Sequence, residues 1–188
     1  MERLETRLEG PLLMVPRVIA DERGFFTETY RRSTLAEHGI GEEMVQDNHS
    51  RSREGVLRGM HFQIGQGVAK LVRCPRGAIF DVVVDIRRGS PTFGEWEGFR
   101  LDEENMHVLY CPVGFAHGFC TLSELADVLY KQSNYYSADV ERAIAFDDPD
   151  VGIEWPLPPE RLTVSARDAH APCLAAIADT LPFEFVAA

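Results

Sequence analysis

The chain has 188 residues and a formal charge of −11, set by 30 acidic against 19 basic side chains. That length suits one domain over residues 1–188, able to bury about 70% of its unfolded surface, and the charge disfavours a nucleic-acid or anionic-membrane surface, which would use basic patches. A hydrophobic share of 45%, with no apolar run near the roughly 20 residues a bilayer requires, fits a globular chain.

The amino terminus opens on charged residues and offers no apolar core for a signal peptide. In chain order, Leu12 to Ile19 is predicted as a strand, Asp21-Glu22-Arg23-Gly24 as a turn and Phe25 to Tyr30 as a second strand. Ser33 is placed to cap a brief helix through His38 that Gly39 closes. Further strands are expected at Met44 to Asn48, Val56 to Gln63, Lys70 to Arg73, Ala78 to Arg87, Gly98 to Leu101, His107 to Cys111, Gly118 to Thr121 and Val128 to Ser133. The Pro-rich run Trp155 to Pro159 then leads into a short helical stretch. Many short strands with regular turns indicate an all-β sandwich or jelly roll. Cys74, Cys111, Cys120 and Cys173 form no CxxC pairing and read as reduced core thiols of a cytoplasmic protein.

Two stretches carry chemistry. Gly55-Val-Leu-Arg-Gly-Met-His61-Phe-Gln63 with Lys70 and Gly77, and Pro112-Val-Gly-Phe-Ala-His117-Gly-Phe119, resemble the two signature motifs of a cupin whose metal ligands have been replaced. Gln63 stands where a second His belongs, and Lys70 where a Glu would be. An ammonium group among the ligands repels the cation such a site would hold, so the pocket is expected to work without metal or other cofactor. Alternation along Val56 to Gln63 puts His61 and Gln63 on one face and Arg58, Met60 and Phe62 on the other. Arg58 and His61 can then meet one ligand only if the strand twists or bulges, with Gly59 the candidate place. Asp81 and Asp85 share a face with Ile79 and Val83; Asp85, next to Arg87 and Arg88, is expected to face solvent, and Asp81 is open to either reading.

Beyond these motifs the chain carries Asp21-Glu22-Arg23-Gly24-Phe25-Phe26-x-Glu28, Gln46-Asp47-Asn48-His49-Ser50, Ser90-Pro91-Thr92-Phe93-Gly94, Tyr130-Lys131, Tyr135-Tyr136, Trp155-Pro156 and Ser165-Ala166-Arg167-Asp168. In this order, over more than 140 residues, they closely resemble the dTDP-4-dehydrorhamnose 3,5-epimerases, the metal-free cupin branch. The resemblance implies a cupin-type jelly roll, or double-stranded β-helix, with short peripheral helices. It also implies a homodimer with swapped amino-terminal strands and a dTDP-4-keto-6-deoxyhexose substrate.

The hydrogens at C3 and C5 of such a sugar flank the ketone, so removing either leaves an enolate. Reprotonation from the other face inverts the centre. His61 is the natural base, since its reference pKa lies near neutrality. The resemblance assigns Asp168 to orient it, Tyr130 as the opposite-face acid, and Lys70 with His117 to the enolate oxygen, where other cupins place a metal. It assigns Arg23, Glu28, Gln46, Asp47, Asn48, Arg58, Asp81, Glu141 and Arg167 to substrate binding, with Arg23 reaching across the dimer, and Tyr136 to stacking on the base. Phe25-Phe26 is expected to pack, while Lys131 and Tyr135 are expected to be structural or solvated. Three features depart from the family pattern: Arg167 replaces a lysine, Ala143-Ile144-Ala145-Phe146 replaces a stretch with Gly and Trp, and the loop from Gln63 to Lys70 is one residue short. A single-centre epimerase or 3,4-ketoisomerase, and a non-catalytic or metal-dependent cupin, are the alternatives.

Overall fold

The computed structural model describes residues 1–186. Fourteen strands dominate it: β1 (Glu2–Leu4), β2 (Leu12–Val15), β3 (Val18–Asp21), β4 (Gly24–Thr27), β5 (Gln46–Arg53), β6 (Val56–Gln63), β7 (Lys70–Arg76), β8 (Ala78–Asp85), β9 (Trp96–Asp102), β10 (Val108–Cys111), β11 (Phe115–Thr121), β12 (Leu125–Gln132), β13 (Glu141–Ala143) and β14 (Thr163–Val164). Two helices lie outside the sheets, α1 (Arg32–Glu37) and α2 (Leu174–Ile177). One six-stranded sheet runs β1-β2-β10-β7-β12-β5, and a second runs β13-β6-β11-β8-β9 with β14 beside β6. All pairs are antiparallel except β14 with β6. The fold is the expected cupin-type jelly roll. Among the described residues no helix is long and apolar enough to cross a membrane.

Alternation explains how the sheets pack. On β8, Ile79 and Val83 point inward to meet Val72, Leu109, Phe119 and Val128, while Val82, Val84 and, just past the strand, Ile86 join the outer cluster. The outer face of the second sheet is covered by the carboxy-terminal segment through Leu174, Leu181 and Phe183. The outer face of the first is covered around α1 through Leu35 and Ile40. Burial of each such side chain is worth about 1.5–3 kcal/mol.

Several boundaries differ from expectation. Pro16 lacks an N–H and breaks the predicted Leu12 to Ile19 strand into β2 and β3, which turn into different sheets. Ser33 lies inside α1 rather than capping it, whereas Gly39, at φ +84°, closes the helix as expected. Cys173 is exposed, unlike the three buried cysteines, so it is not a core thiol. Phe25 and Phe26 are not packed into the chain's core; the β3–β4 hairpin holds them 61% and 68% exposed. Asp85 does not face solvent. It is fully buried, accepting hydrogen bonds from Arg87, Ser90 and Thr92 that replace its hydration.

Candidate active site

The interior is divided along its length. The hydrophobic cluster fills one part, and toward the other the two sheets turn polar side chains into a cavity of about 460 Å³. Strand β7 supplies Lys70 and β12 supplies Tyr130 from one sheet; β6 supplies Arg58 and His61, and β11 supplies His117, from the other. Tyr136, Glu141, Arg167 and Asp168 complete the expected members of the wall.

Arg58 and His61 share this cavity because β6 is irregular where Gly59 lies. His61 pairs with His117 but Arg58 pairs with Phe119, so three steps on β6 oppose two on β11. Gly59 has φ +142° there, and a Cβ on it would meet the Cα of Gly118 at 2.5 Å. The slip turns Arg58 inward, where it donates from Nε to Ser52 Oγ at 3.1 Å. Met60 and Phe62 stay in the outer cluster.

His61 Nε2 donates to Asp168 Oδ1 at 2.8 Å, which leaves Nδ1 as the ring's basic nitrogen. Burial works against the Asp168 charge. The hydrogen bond and charge of His61, the Gly59 N–H and Ser165 outweigh it and hold the carboxyl below its ordinary value. Next to His61 in the same sheet, His117 Nε2 donates to Asp81 Oδ1 at 2.8 Å; across the cavity, Lys70 Nζ meets His117 Nδ1 at 3.4 Å and donates to the His61 carbonyl at 3.3 Å. Burial pushes both Lys70 and His117 down from their ordinary values, opposed in both by the Asp81 charge. An ammonium donating to a neutral imidazole satisfies these contacts and keeps a third N–H for a ligand. Tyr130 is pushed up, chiefly by burial and then by Glu141. Its phenol therefore keeps its proton at neutral pH.

Other expected residues fall elsewhere. Asp81 is fully buried behind His117 rather than on the cavity wall. Gln46 and Asn48 hydrogen-bond each other at 2.8 Å, and Gln46 Oε1 accepts the Tyr136 N–H at 2.8 Å. Asp47 points outward, paired with Lys131 at 2.9 Å beside a separate depression of about 250 Å³. Glu28 pairs with Arg31, and Arg23 sits exposed on the hairpin paired with Asp21. Gln63, at the lost metal-ligand position, accepts the Ser137 N–H at 2.8 Å and donates to the Tyr135 carbonyl at 3.3 Å. It fastens the loop that carries Tyr136. Tyr136 in turn donates to Glu141 Oε2 at 3.0 Å, and Arg167 pairs with the same oxygen. Among the described residues no group of three or more His, Cys, Asp and Glu side chains is placed to hold a metal ion.

Ser50 and Gln132 also line the cavity, each with a buried oxygen that finds no partner in the protein. Ser50 ends the Gln46 to Ser50 motif without an assigned role, and Gln132 lies outside every motif. Alternation carried two residues past Tyr130, and two past Asn48, is the sequence signal that reaches them.

The dTDP-4-dehydrorhamnose 3,5-epimerase family profile matches residues 5–176. A dTDP-4-dehydrorhamnose 3,5-epimerase of Salmonella typhimurium is 52% identical over 91% of this chain and 94% of its own. A dTDP-4-dehydrorhamnose 3-epimerase of Streptomyces niveus is 42% identical over 86% of this chain and 79% of its own. The dTDP-6-deoxy-D-glucose-3,5-epimerase of Legionella pneumophila, solved in complex with dTDP-4-keto-L-rhamnose, superposes with a TM-score of 0.95 at 44% identity, covering 98% of this chain and 99% of that one. A jelly roll with this cavity, matched along almost its whole length, belongs to the dTDP-4-dehydrorhamnose 3,5-epimerase family.

Proposed function

We propose that this chain inverts C3 and C5 of dTDP-4-dehydro-6-deoxy-D-glucose to give dTDP-4-dehydro-L-rhamnose, a step toward dTDP-L-rhamnose. The observation that carries this reading is that His61 and Tyr130 come from opposite sheets into one cavity, with Lys70 on its wall. His61 Nδ1 takes the proton from the carbon beside the ketone, and Asp168 supports the resulting imidazolium. The electron pair moves onto the ketone oxygen, where the free N–H of Lys70 holds it, with His117 and Asp81 fixing the ammonium. Tyr130 delivers a proton to the other face and is reprotonated from solvent, while His61 gives its proton up to solvent and is restored as the base. Arg58 and Arg167 supply guanidinium donors for the pyrophosphate, and Tyr136 an aromatic face for the base. No step calls for a cofactor.

Incubation with the keto sugar nucleotide in deuterium oxide tests the reading: label is expected at both C3 and C5, and label at neither would overturn it. A 3-epimerase among the relatives, at 42% identity, supplies a second reading, in which only C3 exchanges.

We infer further that the working form is a cytoplasmic homodimer. The exposed Phe25 and Phe26 give the hairpin an apolar face for a second copy, and in such a pair the resemblance has Arg23, beside them on the hairpin, act across the interface. Sedimentation should report a dimer that Phe26→Asp weakens; an unchanged assembly in that variant counts against the hairpin's role.

A further inference from the structure

Gln132 and Gln63 are the same residue at the same burial, each 5% exposed, yet they are differently employed. Both ends of Gln63 are committed to backbone groups of the 135–137 loop. Gln132 Oε1 is sealed from solvent with no hydrogen-bond partner. Gln132 lies two residues past Tyr130 on β12, so both side chains leave the same face and line the same cavity. Its backbone is in register with Lys70 on β7, which sets the two Cβ atoms about 5 Å apart. An unpaired amide oxygen at a cavity wall is completed when the side chain turns to meet a donor on an entering ligand.

The chemistry narrows what that ligand group is. A carbonyl oxygen needs a donor, and phosphate oxygens at neutral pH are acceptors only. The position beside Lys70, which meets the ketone in the proposed reaction, is the sugar end of the cavity. We propose that Gln132 accepts a hydrogen bond from a ring hydroxyl on the C2–C3 side of the ketone and makes the enzyme selective for sugars that carry it. The proposal rests on the epimerase reading. Gln132 is then a specificity-determining residue: an analogue lacking the hydroxyl leaves the sealed oxygen unpaired in the complex and is rejected.

The test compares wild type with Gln132→Met, which keeps the length and removes the hydrogen bond. Deuterium exchange at C5 is followed for the parent keto sugar nucleotide and its 2-deoxy and 3-deoxy analogues, since that carbon is common to all three. Wild type is expected to prefer the parent over one analogue by roughly 10²-fold in kcat/KM. In Gln132→Met the parent should fall by about 10- to 100-fold, that analogue should be unchanged, and the preference should shrink to a few-fold. Binding of dTDP alone should not move. A variant that keeps the preference, loses activity equally on all three sugars, or weakens for dTDP in step would overturn the proposal. If the variant does not fold, wild type decides, since no preference for either hydroxyl sinks the idea. No exchange at either C3 or C5 of the parent sugar with wild type sinks the epimerase reading itself; C5 exchange without preference sinks this inference alone.

Discussion

Asp168 is the carboxylate whose removal separates geometry from chemistry. Asp168→Asn keeps the size of the side chain but presents an amide to His61 Nε2, so the ring can adopt the tautomer that places its proton on Nδ1, the nitrogen that must be free. We expect kcat to fall on the order of 10²–10⁴-fold with an unchanged circular dichroism spectrum. Retention of full turnover would remove His61 from the base's role. Lys70 behaves differently, because its contacts with His117 and the His61 carbonyl leave one N–H for the oxygen that gains charge. Lys70→Met is expected to lower kcat by roughly 10²–10³ while binding of dTDP alone is kept, which titration calorimetry on the variant would check.

At the scale of elements, the irregular pairing of β6 with β11 is what makes the site. Gly118 lies under it, and a Cβ there would meet Met60 Sδ at 2.6 Å and the Arg58 carbonyl at 2.8 Å. Gly118→Ala should cost roughly 1–3 kcal/mol in urea unfolding and also reduce kcat/KM, because it pushes on the segment that aims both Arg58 and His61. A stability loss with intact kinetics would mean that the site tolerates the shift. The sequence made the elements of this site legible as strands, β8 and β12 among them. It located the β6 slip only as a condition on Gly59, since a bulge depends on what the partner strand can accept. Asp85 misled for a related reason. Its neighbours Arg87 and Arg88 look solvated in sequence, but the turn after β8 folds Arg87, Ser90 and Thr92 back over the carboxylate. Gln132 lay outside every motif and became visible only with the cavity around it.

For the whole molecule, acid is the vulnerable side. His117 is held below the ordinary 6.5 by burial, so on unfolding below about pH 6.5 it takes up a proton that the folded protein refuses. Stability is therefore expected to drop as the pH falls from that point. Asp85, despite the burial that opposes its charge, and Asp168 are both held below the ordinary 3.8 by their donors. Their contribution is complete above that value and is lost as the pH falls through their folded values. Urea midpoints from pH 8 down to 3 should fall in two stages, and His117→Asn should flatten the first; a midpoint constant between pH 7 and 5 would contradict this account.

Gln63 has a consequence for what the fold could become. In a metal-binding relative of this jelly roll the side chain at that position would point at an ion, whereas here it spends both of its polar ends tethering the loop of Tyr136. Reintroducing histidine at position 63 would recover a ligand and release that tether in the same change. Metal capture and nucleotide stacking thus compete for one side chain, and no single substitution there converts one kind of pocket into the other while keeping both functions.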